Sequence, residues 1–135
     1  MAPFLLGIIC FAGAVQIAHA EETRTFKNGV TGHCLHGDNK LEELRTVECT
    51  GEKNQKWKIR NDGTIQNVGT KKCLEGKPGT AITVKCDKGI FQNWIQDGLI
   101  YQNIATGKCL DVNSQEIAFT SRCSDGDNSY QIWTA

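Results

Sequence analysis

Apolar and β-branched residues in this chain come in short runs, not in long periodic stripes. Thr64 to Val68 and Leu99 to Ile104 are rich in β-branched, apolar and aromatic side chains, and Ala81 to Cys86 and Ile117 to Cys123 carry a similar pattern. Runs of this length and composition predict strands. Asp62-Gly63 and Asp97-Gly98 each precede such a run, where a tight hairpin turn is expected. No sustained helical stripe is present, and fourteen glycines break the chain too often for long helices. The pattern predicts an all-β molecule.

The runs belong to an internal repeat. Three stretches align without a gap: Phe26-Lys27-Asn28-Gly29-Val30-Thr31-Gly32-His33-Cys34-Leu35, Ile65-Gln66-Asn67-Val68-Gly69-Thr70-Lys71-Lys72-Cys73-Leu74 and Tyr101-Gln102-Asn103-Ile104-Ala105-Thr106-Gly107-Lys108-Cys109-Leu110. Each is followed by a second Cys and then by Gln-x-Trp, and Trp57, Trp94 and Trp133 recur at intervals of 37 and 39 residues. The units run roughly over 21–58, 59–95 and 96–135, and no linker or low-complexity stretch separates them. A repeat of this kind fixes the architecture before single residues are interpreted. Propellers need about four blades or more, and helical solenoids need a helical period that is missing here. Three units of about four strands each, closed on one axis, remove the exposed sheet edges and place one Trp and one set of Leu side chains per unit in a shared core. That arrangement is a β-trefoil.

Residues 1–20 are read as a secretory signal peptide. They are apolar, carry no Lys, Arg, Asp or Glu, and end in Ala18-His19-Ala20, a small-x-small cleavage pattern. The segment is short and glycine-interrupted for a membrane anchor, and no insertion into a membrane is expected. Removal would leave 115 residues, 21–135, as one domain of secreted, extracellular destination. The formal net charge is zero, so no net field draws the protein to nucleic acid or anionic membrane. Lys53, Lys56, Lys58 and Arg60 form a basic cluster, which reads as a solvated face.

Cys10 leaves with the signal, and six cysteines remain. An even count in an exported domain implies disulfides. One pair falls in each repeat, which predicts Cys34–Cys49, Cys73–Cys86 and Cys109–Cys123. The competing reading is a zinc site, since His33 and His36 flank Cys34. Zinc ligands normally come in close pairs, and no C-x-x-C is present, so no metal and no cofactor are expected.

These residues resemble the ricin-B-type β-trefoil lectins over the whole of 21–135. Ala105-Thr106-Gly107-Lys108-Cys109-Leu110-Asp111-Val112 with Tyr130-Gln131-Ile132-Trp133 is close to the family pattern. The resemblance implies that Trp57, Trp94 and Trp133 fill the core, and that Gln55, Gln92 and Gln131 hold the hairpin backbone or touch the edge of a ligand. It also implies three sugar contacts per repeat: an Asp after Cys-Leu, an aromatic two residues before the second Cys, and an Asn before Gln-x-Trp. The first unit has His36, Val47 and Asn54 at these positions. The second has Glu75, Val84 and Phe91. The third has Asp111, Ser121 and Tyr130. No unit holds all three groups.

The third unit is the best candidate site. Asp111 is in place, and Phe119 stands two residues before the missing aromatic, so that on a regular strand it would share the same face. The segment Asp127-Asn128-Ser129-Tyr130 is two residues longer than its counterparts and could supply Asn128 as the amide and Tyr130 as the ring, beside Gln131. The bland reading has Phe119 in the core, Tyr130 as surface decoration and Asp111 capping a turn. The first unit offers a weaker second site in His36, Asn54 and Gln55, which would be pH-dependent.

The function that follows is a small secreted lectin for carbohydrate, presented as glycoprotein or glycolipid glycans, with galactose-like sugars favoured by the resemblance. Weak sites of this kind gain strength through multivalency. The alternative is a secreted protein-interaction or inhibitor module that keeps the trefoil without sugar binding and acts on another protein chain. An enzyme is not expected. Only His33 and His36 survive removal of the signal, no nucleophile elbow or phosphate loop is present, and all six cysteines are taken up in bridges. No Asn-x-Ser/Thr acceptor for N-glycosylation occurs.

Overall fold

The computed structural model describes residues 6–11, 14–19, 21–40, 43–124 and 128–135. In the N-terminal segment, β1 (Leu6–Phe11) and β2 (Ala14–His19) pair antiparallel with each other. Ala20, where cleavage is expected, lies outside the described residues, as do Glu42 and Asp127.

The rest is built from short strands: β3 (Glu22–Arg24), β4 (Lys27–Asn28), β5 (Cys34–His36), β6 (Arg45–Val47), β7 (Trp57–Ile59), β8 (Ile65–Asn67), β9 (Cys73–Lys77), β10 (Thr80–Val84), β11 (Trp94–Asp97), β12 (Ile100–Asn103), β13 (Cys109–Val112), β14 (Ala118–Ser121) and β15 (Trp133–Thr134). Among the described residues the helical content is three single 3-10 turns, each ending on the Gln of Gln-x-Trp: Lys53–Gln55, Ile90–Gln92 and Ser129–Gln131. The four runs singled out in the sequence fall on β8, β10, β12 and β14. In β10, for example, Ala81 and Thr83 point inward while Ile82 and Val84 are half-exposed. Gly98 at φ 62° opens the two-residue turn between β11 and β12, as expected for Asp97-Gly98. The turn at Asp62-Gly63 is wider. Arg60 N–H donates to Thr64 O, and Gly63 at φ 88° completes a three-residue loop, because Asp62 Oδ1 accepts from both Thr64 N–H (3.0 Å) and Thr64 Oγ1 (2.6 Å).

The sheets do not follow the sequence units. Strand orders are β15-β4-β5-β6, β10-β9-β8-β7-β3 and β11-β12-β13-β14. Each Trp-bearing strand thus pairs with the first strand of the next unit, and β15 returns to β4 to close the ring. That circular pairing makes the chain a β-trefoil.

Threefold contacts hold it. Trp57, Trp94 and Trp133 are buried, and each indole N–H donates to the carbonyl of the Leu after the first Cys: Leu35 (3.1 Å), Leu74 (3.0 Å) and Leu110 (3.1 Å). Asn28, Asn67 and Asn103 are also buried. Each Oδ1 accepts two backbone N–H groups of its own turn, while each Nδ2 donates across to the preceding lobe: to Tyr130 O, Asn54 O and Phe91 O at 2.9, 2.8 and 2.8 Å. Buried polar groups are tolerable only when paired in this way. Packing is tight enough to exclude a methyl group at Gly76, where a Cβ would lie 2.6 Å from Trp94 Cη2. The three bridges are Cys34–Cys49, Cys73–Cys86 and Cys109–Cys123, one per repeat, as the repeat predicted.

Among the described residues the core holds two buried hydroxyls without a hydrogen-bond partner, Thr83 Oγ1 and Tyr101 Oη. Phe26, Ile65 and Tyr101 occupy equivalent buried positions, with the Phe26 and Tyr101 rings edge-to-face at 4.7 Å. Tyr101 Oη is buried and has no hydrogen-bond partner among the described residues. Burial pushes the phenol from 10.0 up to about 12, with the Arg24 charge opposing. The native state therefore keeps a proton that the unfolded chain releases between these values. Below pH 10 both states hold this proton and it does not affect stability; as pH rises from 10 to about 12 only the unfolded chain releases it, and the fold loses roughly 2–3 kcal/mol. Tyr101→Phe removes the unpaired hydroxyl and is expected to raise stability near neutral pH by about 1 kcal/mol. It should also flatten the alkaline loss, and urea titrations at pH 7, 10 and 11.5 would read both effects.

Candidate functional site

The Gln-x-Trp glutamines share one mechanical task. Gln55 Nε2 donates to Glu48 O (2.9 Å), and its Oε1 accepts from Thr50 N–H (2.8 Å), so it straps the residues on either side of Cys49. Gln92 does the same at Lys85 O (3.0 Å) and Asp87 N–H (3.2 Å), and Gln131 at Arg122 O (2.8 Å) and Ser124 N–H (3.1 Å).

Only in the third repeat, among the described residues, does this strap reach further. Gln131 Nε2 lies 3.2 Å from Asp111 Oδ2 and 2.8 Å from Ser121 Oγ. Ser121 Oγ donates to the same Asp111 Oδ2 at 2.6 Å, and Asn128 Nδ2 approaches it at 3.4 Å. Asp111 Oδ1 accepts its neighbour's amide, Val112 N–H, at 2.7 Å. Charge-assisted bonds of this kind fix the direction of a carboxylate. They also enclose it, and Asp111 is only 4% exposed.

The strands account for this convergence. In the β13–β14 pair, Asp111 stands opposite Phe119 and Cys109 opposite Ser121. Residues directly opposite on an antiparallel pair share a face, and a diagonal neighbour is within reach. Phe119 therefore shares the Asp111 face and is half-buried, while Ser121 sits one pleat along and contacts the carboxylate. Asn128 is held by its own loop: its N–H donates to Ser124 Oγ (3.1 Å), and its Oδ1 accepts Tyr130 N–H (3.0 Å). Tyr130 is 38% exposed, and its carbonyl receives the Asn28 stitch from the first lobe. Asp111, Phe119, Asn128 and Gln131 are thus brought together, and Tyr130 borders them through the main chain. The participant that sequence reasoning missed is Ser121. It stands where the family pattern has a ring, and its hydroxyl makes the shortest contact to Asp111. The diagonal spacing on two paired strands was the available signal.

The other two repeats are built differently. His36 stands opposite Arg45, which pairs with Glu43 at 2.8 Å, and His36 Nδ1 is buried without a partner among the described residues. Asn54 does not bond His36. Its Nδ2 donates to Gly37 O at 2.9 Å and its carbonyl accepts Gly37 N–H at 2.9 Å, so it serves the backbone, as Gln55 does. In the second repeat Glu75 lies 3.8 Å from Lys77 Nζ, which sits 5.7 Å from the Phe91 ring centroid. Among the described residues no group of three or more His, Cys, Asp or Glu is placed to hold a metal ion.

A closed threefold β-trefoil with a glutamine strap behind each second cysteine, and a carboxylate after Cys-Leu in one lobe, defines a lectin-type module. The ricin-type beta-trefoil lectin domain matches residues 22–133, and the chain belongs to that family. Among curated proteins none matches the sequence. Solved structures share the fold at low identity. A non-toxic homologue of type II RIPs from Momordica charantia (bitter gourd), in complex with alpha-methyl-D-galactoside, is 19% identical with a TM-score of 0.75, over 90% of this chain and 51% of that one. The present chain thus spans about half of the bitter-gourd protein. The C-half of an earthworm R-type lectin in complex with GalNAc is 13% identical with a TM-score of 0.71, over 83% of this chain and 95% of that one. The β-trefoil lectin of Vibrio vulnificus hemolysin/cytolysin, with N-acetyl-D-lactosamine bound, is 17% identical with a TM-score of 0.71, over 85% of this chain and 93% of that one.

Proposed function

We propose that this chain is a secreted, non-enzymatic lectin that binds galactose-like sugars weakly through one site, in its third repeat. The observation that carries this is the convergence of Gln131, Ser121 and Asn128 on Asp111 Oδ2 beside Phe119, a constellation that His36 and Glu75 do not build. A sugar hydroxyl pair would take the place of the long 3.4 Å Asn128 contact and bond both Asp111 and the released amide. Phe119 or Tyr130 would cover the sugar's C–H face. The ligands of the three related structures all contain a galacto-configured ring, which favours that class. With one ring and one carboxylate, the binding energy is about −4 kcal/mol, that is, millimolar affinity. Export is supported by the apolar residues 1–20 and by three disulfides, which persist in oxidising compartments.

One observation favours the second reading, a protein-interaction module: Asp111 is nearly closed, with both oxygens already bonded. NMR titration with galactose, N-acetylgalactosamine and mannose at tens of millimolar separates the two. The lectin reading expects saturable amide shifts at Asp111, Ser121 and Asn128 with the first two sugars. It expects at least a tenfold loss of affinity in Asp111→Asn, about 1.4 kcal/mol. An unperturbed spectrum with all three sugars would leave the interaction module standing.

A further inference from the structure

The neutral net charge hides a strong segregation. Residues 53–88 contain nine Lys and Arg against three Asp and Glu, and the rest of the chain contains six against twelve. The structure gathers the central lysines around one turn, residues 67–72. Gly69 N–H donates to Lys53 O at 3.1 Å and Val68 N–H to Lys56 O at 2.9 Å. Gln66 Nε2 donates to Lys71 O at 2.9 Å. The Cys73–Cys86 bridge, with Cα atoms 5.0 Å apart, sets Lys72 beside Lys85. Lys53, Lys56, Lys71 and Lys85 are exposed and Lys72 half-buried. Among the described residues none of these five enters an ion pair, whereas neighbouring Lys58, Arg60 and Lys77 each have a carboxylate partner.

Lys71 stands in the wrong backbone conformation for a lysine. Its φ is 66°, and the equivalent positions of the other lobes are Gly32 at 71° and Gly107 at 72°. Left-handed backbone strains a residue with a side chain and suits glycine. Two lobes use glycine there, and the charged lobe carries a lysine at the centre of its cation group. Strain of this kind is retained where the side chain has a use. We infer that this face of the second lobe binds an acidic glycan, a polysaccharide bearing sulfate or carboxylate groups, at a site separate from Asp111. The choice of a glycan over other polyanions rests on the lectin reading and on the composition of the patch. Its members are ammonium groups with no aromatic ring among them, so it offers no platform for stacking nucleic-acid bases. Phe26, Trp57, Trp94, Tyr101 and Trp133 are buried, and the half-buried Phe91 of the same lobe lies beside Lys77, which is not one of the five lysines of the patch.

The test uses the full chain and a size-defined heparin oligosaccharide, followed by calorimetry at low and at physiological salt. Desulfated oligosaccharide, oligo-dT and vesicles containing phosphatidylserine serve as comparison ligands. Binding is expected for heparin, weakening with salt as screened charges require, and weakened on desulfation, which lowers the negative charge but leaves the uronate carboxylates. Lys71→Gly is expected to weaken heparin roughly twofold while raising Tm by a few degrees, since it relieves the backbone. Lys53→Gln, Lys71→Gln, Lys72→Gln and Lys85→Gln combined should weaken it about tenfold or more. Asp111→Asn should leave heparin binding intact, so that this inference and the galactose reading fail independently. No heparin binding at low salt, tighter binding of oligo-dT or vesicles than of heparin, or unchanged affinity in the combined variant would each overturn it.

Discussion

Trp57→Ala is expected to destabilise the protein by roughly 3–5 kcal/mol, the range for removing a buried aromatic from a packed core. The side chain is fully buried and meets Phe26 edge-on at 6.2 Å. Truncation removes that packing and also leaves Leu35 O without the indole N–H it receives at 3.1 Å. Trp57→Phe isolates the second effect in part, keeping a ring while orphaning the carbonyl, at about 1–3 kcal/mol. The pairing repeats at Trp94–Leu74 and Trp133–Leu110, so the same substitutions there should rank similarly. Urea denaturation followed by fluorescence measures the midpoint shift. A loss under about 1 kcal/mol at all three positions would show that these indoles are not the core.

Reduction of the three disulfides is expected to have the largest effect of any treatment. Each bridge closes a loop of 13 to 15 residues and contributes roughly 3 kcal/mol in the chain-entropy model. The sum is comparable with the whole stability of a typical domain, about 5–15 kcal/mol. A trefoil over residues 22–133 has one modest core, and here part of that core is given to paired polar side chains such as Asn67, Asn103 and Gln92. The reduced protein should therefore be largely unfolded at 37 °C. Thermal melts with and without reductant, read by circular dichroism, check this. Loss should be graded when the bridges are removed one at a time as Cys→Ala pairs, because each lies within its own lobe.

The fold was legible because the repeated columns are the structural ones. Asn28, Asn67 and Asn103, the Leu after each first Cys, and the three Trp all make threefold-equivalent contacts, so their recurrence was a direct record of the barrel. What the sequence did not carry was the partner of each strand. Alternation identifies a buried face, not what lies across it, and the pairing of β15 with β4 joins residues more than a hundred positions apart. The candidate site was half legible for the same reason. Asp111 came from a local motif, and Phe119 from the parity of one strand. Ser121 as a donor to Asp111 depends on the register of two strands, and Gln131 as a shared donor depends on the 3-10 turn that lifts it beside them. The charged face at Lys71 was visible only as the cluster at Lys53 to Arg60. The turn and the disulfide that complete it are features of the folded chain.

On the lectin reading, the third lobe holds a sugar against Asp111. A crystal of the intact protein soaked in concentrated galactose tests it most directly. Density is expected for one ring beside Phe119 or Tyr130, with two hydroxyls on Asp111 and Asn128 displaced from Oδ2. Galactose bound elsewhere, or an Asp111 still closed by Ser121, Gln131 and Asn128 with no sugar near it, would contradict it.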